Sequence, residues 1–423
     1  MGKVNIHSLK PGMVLAEEVK DRNGRMLLGA GVALNEKNLR ILKIWGVSEA
    51  DVEGVSRDEA EGDLASDLDP ELVEAAMAYM RDRFRHNDLA YEPVAEILRH
   101  CALRKARFCA AQGSGPEALA CTREAIAPPM PQHAPEPAPA PGNMDPYQLV
   151  RDDLKLGSLP MVFHKLVEAV NDSRSSSSDV AEVISHDTDL SAQLLKVVNS
   201  AFYGLRSKID TISRAVAVIG SNQLISLAMG FSVITFFKGI PDELINMRAF
   251  WTHSIACGVA ARIISSYHNT PNTERFFVTG LLHDVGRLVM YKLLPGPSRA
   301  ALEAARSRGV FLHEAERDVF GFSHDKLGGV VLKKWKCPVS LEKNVRYHHN
   351  PNSAPNKLEA SIILMADFLA NAMEQGTSGE VLVPTLPPPV WQTLGMPLSV
   401  LTQTVEQVDY QVNEIVHFFT DES

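Results

Sequence analysis

TGLLHDVGRLVMY, residues Thr279–Tyr291, sets a histidine and an aspartate side by side inside a run rich in leucine and valine. An aspartate among such neighbours is costly to bury unless a cation or strong donors meet it. Adjacent residues on a helix point about 100° apart. His283 and Asp284 can therefore address one metal ion, or Asp284 can bridge two. A plainer reading stands beside this one. Asp284 and Arg287 are three residues apart and can pair on one helix face.

The same oddity recurs in other apolar segments. AFWTHSIACGVAARII carries His253, and FSHDKLGGVVLKKW carries His324 and Asp325. LEKNVRYHHNP carries His348 and His349, and EASIILMADFLANAM carries Asp367. Each alone reads most simply as a hydrogen-bonded core or loop residue. Taken together, the segments each supply a candidate ligand. Imidazole with carboxylate suits a divalent ion such as Fe, Mn or Zn. Paired ions would polarise a phosphoryl oxygen and supply hydroxide at neutral pH.

The chain has 423 residues, 45% hydrophobic and 22% charged, which is globular composition. Its 42 basic and 51 acidic residues give a net charge of −9, which opposes non-specific nucleic-acid binding. Cys101, Cys109, Cys121, Cys257 and Cys337 are scattered, with no CxxC pair. They read as reduced thiols of a cytoplasmic protein. The start, MGKVNIHSLKPGMVLAEEV, lacks a signal-peptide core, and no apolar run reaches membrane-spanning length. The longest, LISLAMGFSVITFF, reads as a buried helix.

Composition divides the chain into four parts. Residues 1–55 read as a small β-rich unit with one helix. Its two strand-like runs flank Asn23-Gly24, a pair that favours tight hairpins, and Asn35 can cap the helix, which Gly46 can end. Residues 56–111 are helical, with Leu72, Ala76, Met80 and Phe84 on one stripe. Arg99, Arg104, Lys105 and Arg107 form a basic face there, most simply a solvated one. Residues 112–146 are a Pro/Ala-rich linker. Residues 147–423 are mainly helical. Ser178 offers a cap, a break falls at SHDTD, and Leu190, Leu194, Val198 and Phe202 make the next stripe.

These residues resemble the HD superfamily pattern, H…HD…D on successive helices, and more closely its divergent HDOD branch. The likeness runs from about Leu154 to Phe368, through VISHDTDLSAQLLKVVNSAFYG, IDTISRAVAVIGSNQLISLAMG, GLLHDVGRL, HDKLGGVVLKKWKCP and YHHNP. The amino-terminal unit resembles the small domain found ahead of HD-GYP phosphodiesterases, through LKPGMVLAEEVKDRNGRMLLGAGVAL and LKIWGV. The resemblance implies a mainly α, all-helical HDOD domain behind a β-rich unit, in a bacterial signalling protein. Such a module would bind a partner protein or a second messenger such as a cyclic dinucleotide. The family ligands carry over to His253, His283, Asp284 and Asp367. His324, His348 and His349 correspond to further ligands of HD-GYP enzymes, which hydrolyse cyclic di-GMP. In the enzymatic alternative, a metal-dependent phosphohydrolase, Asp284 and Arg287 would serve catalysis, Arg287 by holding phosphate. The chain departs from HD-GYP at HHNPNSAP, where Asn350 replaces a glutamate and the GYP segment is missing. Arg287 also stands where those enzymes carry lysine.

Overall fold

The computed structural model describes the chain except residues 1, 7–8, 21–25, 45–46, 48, 54–67, 120–143, 152–159, 173, 201, 204, 206, 238, 269, 271 and 421–423. In the amino-terminal unit, β1 (Gly2–Asn5) and β4 (Glu49–Val52) pair antiparallel, as do β2 (Val19–Lys20) and β3 (Met26–Leu28). The Asn23-Gly24 turn, Gly46, Cys121 and most of the linker lie outside the described residues. Helix α1 (Glu36–Ile44) begins as expected, with the Asn38 N–H donating to Asn35 Oδ1 at 2.8 Å. Val4, Leu15, Leu34, Leu42 and Val52 give this unit its own small core.

The remainder is helical. Asp69 caps α2 (Pro70–Arg83), with Pro70 at the first helical position, where its missing N–H costs nothing. Helix α3 (Glu92–Ala111) follows and packs against it. Leu72, Ala76, Met80 and Phe84 are all buried, as their spacing predicts. They share one hydrophobic core with the helices beyond the linker. Those helices are α4 (Pro146–Arg151), α5 (Met161–Asn171), α6 (Ser177–Ser185), α7 (Thr188–Val198), α8 (Ile212–Ile219) and α9 (Ser221–Phe236). The chain continues through α10 (Met247–Ser266), α11 (Glu274–Leu282), α12 (Val285–Leu293), α13 (Pro295–Arg308) and α14 (Leu312–Phe320). It ends with α15 (His324–Lys334), α16 (Val339–Tyr347), α17 (Lys357–Ala372), α18 (Pro388–Leu394) and α19 (Ser399–Thr420).

Ser176, rather than Ser178, caps α6, because Asp179 three residues on completes a reciprocal capping box with it. The break at SHDTD is real: His186 ends α6 and Asp187 caps α7. The apolar α9 is buried along most of its length, as a helix without a polar face must be. Among the described residues no helix is long and apolar enough to cross a membrane. Helix α10 runs through the core and packs on α11, α17 and α19. Gly280 permits the closest of these approaches, since a Cβ there would stand 2.6 Å from the Gly258 nitrogen.

The basic face of α3 divides, with Arg104 and Lys105 half-buried and Arg99 and Arg107 exposed. Arg99 pairs with Glu96 at 2.8 Å, Arg104 with Asp409 at 2.6 Å and Lys105 with Glu374 at 2.8 Å. Glu374 also accepts from the Tyr79 hydroxyl and meets Arg83 at 3.2 Å. Burial raises its pKa, but Arg83 and Lys105 outweigh that and hold it below the ordinary value. A carboxylate depressed on folding stabilises the fold at neutral pH and loses that contribution as pH falls through its folded pKa. Glu374→Gln should cost about 2 kcal/mol at neutral pH. In urea titrations from neutrality down to about pH 4, its deficit against wild type should shrink as pH falls.

Candidate metal centre

Where α11 gives way to α12, His283 and Asp284 occupy the junction, with both side chains buried. His253 reaches them from α10, its Nε2 lying 3.4 Å from His283 Nε2. Asp367, from α17, places Oδ1 3.3 Å from His253 Nε2 and 3.4 Å from His283 Nε2. Asp284 Oδ2 lies 3.2 Å from His283 Nε2 and 3.7 Å from His253 Nε2. These four groups make one centre.

The second centre lies on the other side of Asp284. His324 is the first residue of α15, and His348 and His349 follow α16. His324 Nε2 is 3.4 Å from His348 Nε2 and 3.0 Å from His349 Nε2. Asp284 Oδ1 stands 2.9 Å from His324 Nε2, an ion-pair approach. In each of the trios His253–His283–Asp284 and His324–His348–His349, one ligand atom per residue lies within 4.8 Å of the others. Asp284 offers one oxygen to each centre.

Hydrogen bonds on the far side of the rings fix what the near side presents. His283 Nδ1 is 2.6 Å from the Gly280 carbonyl, and His348 Nδ1 is 2.6 Å from the Val345 carbonyl. A carbonyl only accepts, so each Nδ1 carries a proton, and each ring when neutral turns an Nε2 lone pair inward. His324 Nδ1 meets Glu316 Oε2 at 2.6 Å, the carboxylate–histidine pairing that orients metal ligands. Lone pairs facing one another at these distances repel unless a proton or a metal cation lies between them.

Charge makes the same demand. Burial raises the Asp284 carboxyl, but Arg287, His283 and His324 outweigh it and hold the carboxyl well below the usual range. Asp367 is likewise depressed, its burial outweighed by hydrogen bonds from His253 and His283. Glu316 falls to about 2, since His324 and Arg287 overcome burial. In the metal-free protein, protons answer part of this charge. His283 rises well above its ordinary value and His324 to about 9, because neighbouring carboxylates overcome burial. Burial and adjacent imidazoles push His348 down to about 4 and His349 well below the usual value. Each histidine group thus contains one imidazole that neighbouring carboxylates favour in its charged form. The donor set, nitrogen and carboxylate oxygen with the buried Asp284 at its middle, fits divalent Fe, Mn or Zn.

Arg287, on α12, donates to Asp284 Oδ2 at 3.0 Å, to Glu316 Oε1 at 2.9 Å and to the Ser378 hydroxyl at 2.6 Å. The Arg287 ion pair therefore leaves Asp284 facing both histidine groups. His253, His283, Asp284, His324, His348, His349 and Asp367 all meet here, and Arg287 flanks them. His349 is only half-buried and stacks on His313 at 4.4 Å, so the second centre lies nearer solvent. Glu316 is the member that spacing did not single out. It sits on the buried face of α14 with Leu312 and Phe320, four residues from each. An acid within that stripe was the available signal.

A helical domain with two adjoining histidine–carboxylate groups that could hold metal is the class this arrangement defines. Residues 156–351 match the HDOD domain family, and the chain carries an HDOD domain there. A Treponema pallidum (strain Nichols) protein is 26% identical over 244 residues, covering 55% of this chain and 45% of that protein. The chain thus matches under half the length of that relative. Among solved structures, a Shewanella amazonensis SB2B protein named by inference a phosphohydrolase aligns with a TM-score of 0.54 and 22% identity, covering 66% of this chain and 99% of that one. An HDOD domain protein of unknown function from Geobacter sulfurreducens aligns at 0.52 and 22%, covering 59% and 87%. A Marinobacter aquaeolei VT8 protein assigned by inference to signal transduction aligns at 0.53 and 18%, covering 66% and 67%. These likenesses establish the fold.

Proposed function

We propose that this chain is a signal-transduction protein whose HDOD module holds two divalent ions and hydrolyses a phosphoester, with cyclic dinucleotides the first substrate class to test. The observation that carries the reading is Asp284, buried between the two histidine groups with one oxygen toward each. Two ions held there would polarise a phosphoryl oxygen and supply a hydroxide nucleophile at neutral pH. His253, His283 and Asp367 would hold one ion, His324, His348 and His349 the other, and Asp284 both. Glu316 keeps the His324 Nδ1 proton in place, which makes Nε2 the better donor. Arg287 is a positioning residue in this reading, since two carboxylates and a hydroxyl already occupy its guanidinium. Substrate would enter beside the half-buried His349.

A second reading, a regulatory module that binds a protein partner or messenger without turnover, is favoured by Asn350. That exposed residue follows His349 where the related phosphodiesterases carry a glutamate. Metal analysis of protein purified without chelator, combined with Mn²⁺-supplemented assays on cyclic dinucleotides and simple phosphoesters, separates the two. Two ions per chain with turnover supports the enzyme. Two ions without turnover on any of these substrates leaves the regulatory module. Metal-free protein that takes up no Mn²⁺ or Fe²⁺ sinks the two-metal centre itself.

A further inference from the structure

Residues 373–387, between α17 and α18, form a strap with no regular structure of its own that touches three of the helices serving the centre. The Thr377 N–H donates to the Ala249 carbonyl at 3.0 Å, one turn before His253. Gly376 lies so close to α10 that a Cβ there would stand 2.1 Å from the Ala249 oxygen and 2.8 Å from the His253 nitrogen. On α12, the Ser378 hydroxyl receives Arg287 at 2.6 Å and the Ser378 carbonyl receives the Tyr291 hydroxyl at 2.7 Å. On α14, Glu380 accepts from the Leu312 N–H at 2.8 Å, at the start of the helix that carries Glu316.

The other side of the strap is held by the α2–α3 hairpin. Arg83 donates to the Val381 carbonyl at 3.0 Å, and its own carbonyl accepts from the Val383 N–H at 2.9 Å. Asn87 donates to the carbonyls of Val383 at 3.0 Å and Pro384 at 3.1 Å, and accepts from the Leu386 N–H at 3.0 Å. Arg104 donates to the Met373 carbonyl at 2.6 Å. These backbone groups have no helix or sheet of their own to pair in. Without the hairpin they would go unmet, and the strap would have little reason to keep its path.

We infer that Ser378 is a positioning residue for Asp284, acting through Arg287, and that the α2–α3 hairpin holds the strap in the path that lets it do so. The inference rests on the two-metal reading. Seating of the hairpin and loading of the centre are then coupled, and the coupling runs equally in both directions. A protein or ligand that loosened the hairpin would weaken metal binding without touching a ligand residue.

The test uses the full chain carrying Asn87→Ala or Ser378→Ala. Mn²⁺ is titrated into chelator-treated protein, and the histidine side-chain ¹⁵N signals are read before metal is added. Both variants should weaken Mn²⁺ binding about tenfold, the scale of losing an outer hydrogen bond to a ligand. Asn87→Ala should also move the imidazole signals of His253 and His324, which a contribution to global stability alone would not do. Unchanged affinity and unchanged imidazole signals in both variants overturn the inference. A response confined to Ser378→Ala overturns the hairpin's share of it. If the wild-type chain takes up no Mn²⁺, the two-metal reading falls separately. The metal-free imidazole signals then decide the strap alone: shifted signals support it and unshifted signals overturn it.

Discussion

Asp284→Ala is expected to empty both centres together, with affinity for each ion down by about a hundredfold or more, the upper range for losing even an outer partner of a ligand. Asp284 Oδ2 faces His283 and His253, and Oδ1 faces His324, so this one carboxylate addresses both histidine groups. The substitution also strips Arg287 of one of its two carboxylates in a fully buried setting. Breaking a buried pair by removing one partner costs about 3 kcal/mol or more, so the metal-free variant should melt lower as well. Asp284→Asn separates the causes. It keeps the shape and loses the charge, and it should lose both ions while recovering part of the packing. Asp367→Ala provides the contrast. Among the candidate ligands its Oδ1 approaches His253 and His283, besides accepting from Asn371 Nδ2 at 2.8 Å, so one ion should leave and the other remain. Metal content per chain, measured alongside thermal unfolding, reads all three variants. An Asp284→Ala protein that retains one ion at wild-type affinity would refute the bridging role.

Much of the centre was legible because an acid or imidazole in an apolar stripe must be met by something. His283, Asp284 and Asp367 stood out on that ground, although each alone read most simply as a core residue and only the set pointed to a site. What local spacing could not give is convergence. His253 and Asp367 are separated by more than a hundred residues, and only the family pattern placed them together. Glu316 escaped notice because α14 is short and strongly charged, so one acid among several did not stand out until its burial was known. Ser176 was missed for a related reason. The run SSSS offers several equivalent caps, and only the reciprocal bond with Asp179 selects one. The strap was invisible to periodicity altogether, since residues 373–387 are rich in glycine, proline and polar groups and belong to no helix. Nor did composition foretell that α2 and α3 share their core with helices beyond the linker. That depends on tertiary packing, which a Pro/Ala-rich boundary neither forbids nor reveals.

Gly286→Ala should destabilise the protein and part the two histidine groups, although the same exchange in an exposed helix stabilises by about 1 kcal/mol. The reversed sign follows from where α12 meets α15. A Cβ at Gly286 would stand 2.1 Å from the His324 carbonyl oxygen and 2.8 Å from its carbon, and 2.9 Å from the Gly328 nitrogen. All three are backbone atoms of one packed helix, so no side chain can swing aside. Either α15 moves away or α12 does. In both cases His324 Nε2 leaves its position 2.9 Å from Asp284 Oδ1. Overpacking of this kind typically costs 1–3 kcal/mol, and this contact, against rigid backbone, belongs near about 3 kcal/mol. The loss should appear in urea unfolding and be accompanied by loss of the second ion, the one His324 would hold. The first, which His253 on α10, His283 at the α11–α12 junction and Asp367 on α17 would hold, should be less affected. Full stability with two ions bound would mean that the approach of α12 to α15 does not set the spacing of the centre. On the two-metal reading, the glycine within HDVG is as much a part of the site as the histidine and aspartate: His283 and Asp284 would supply ligand atoms, and Gly286 lets the helix bearing His324 approach Asp284.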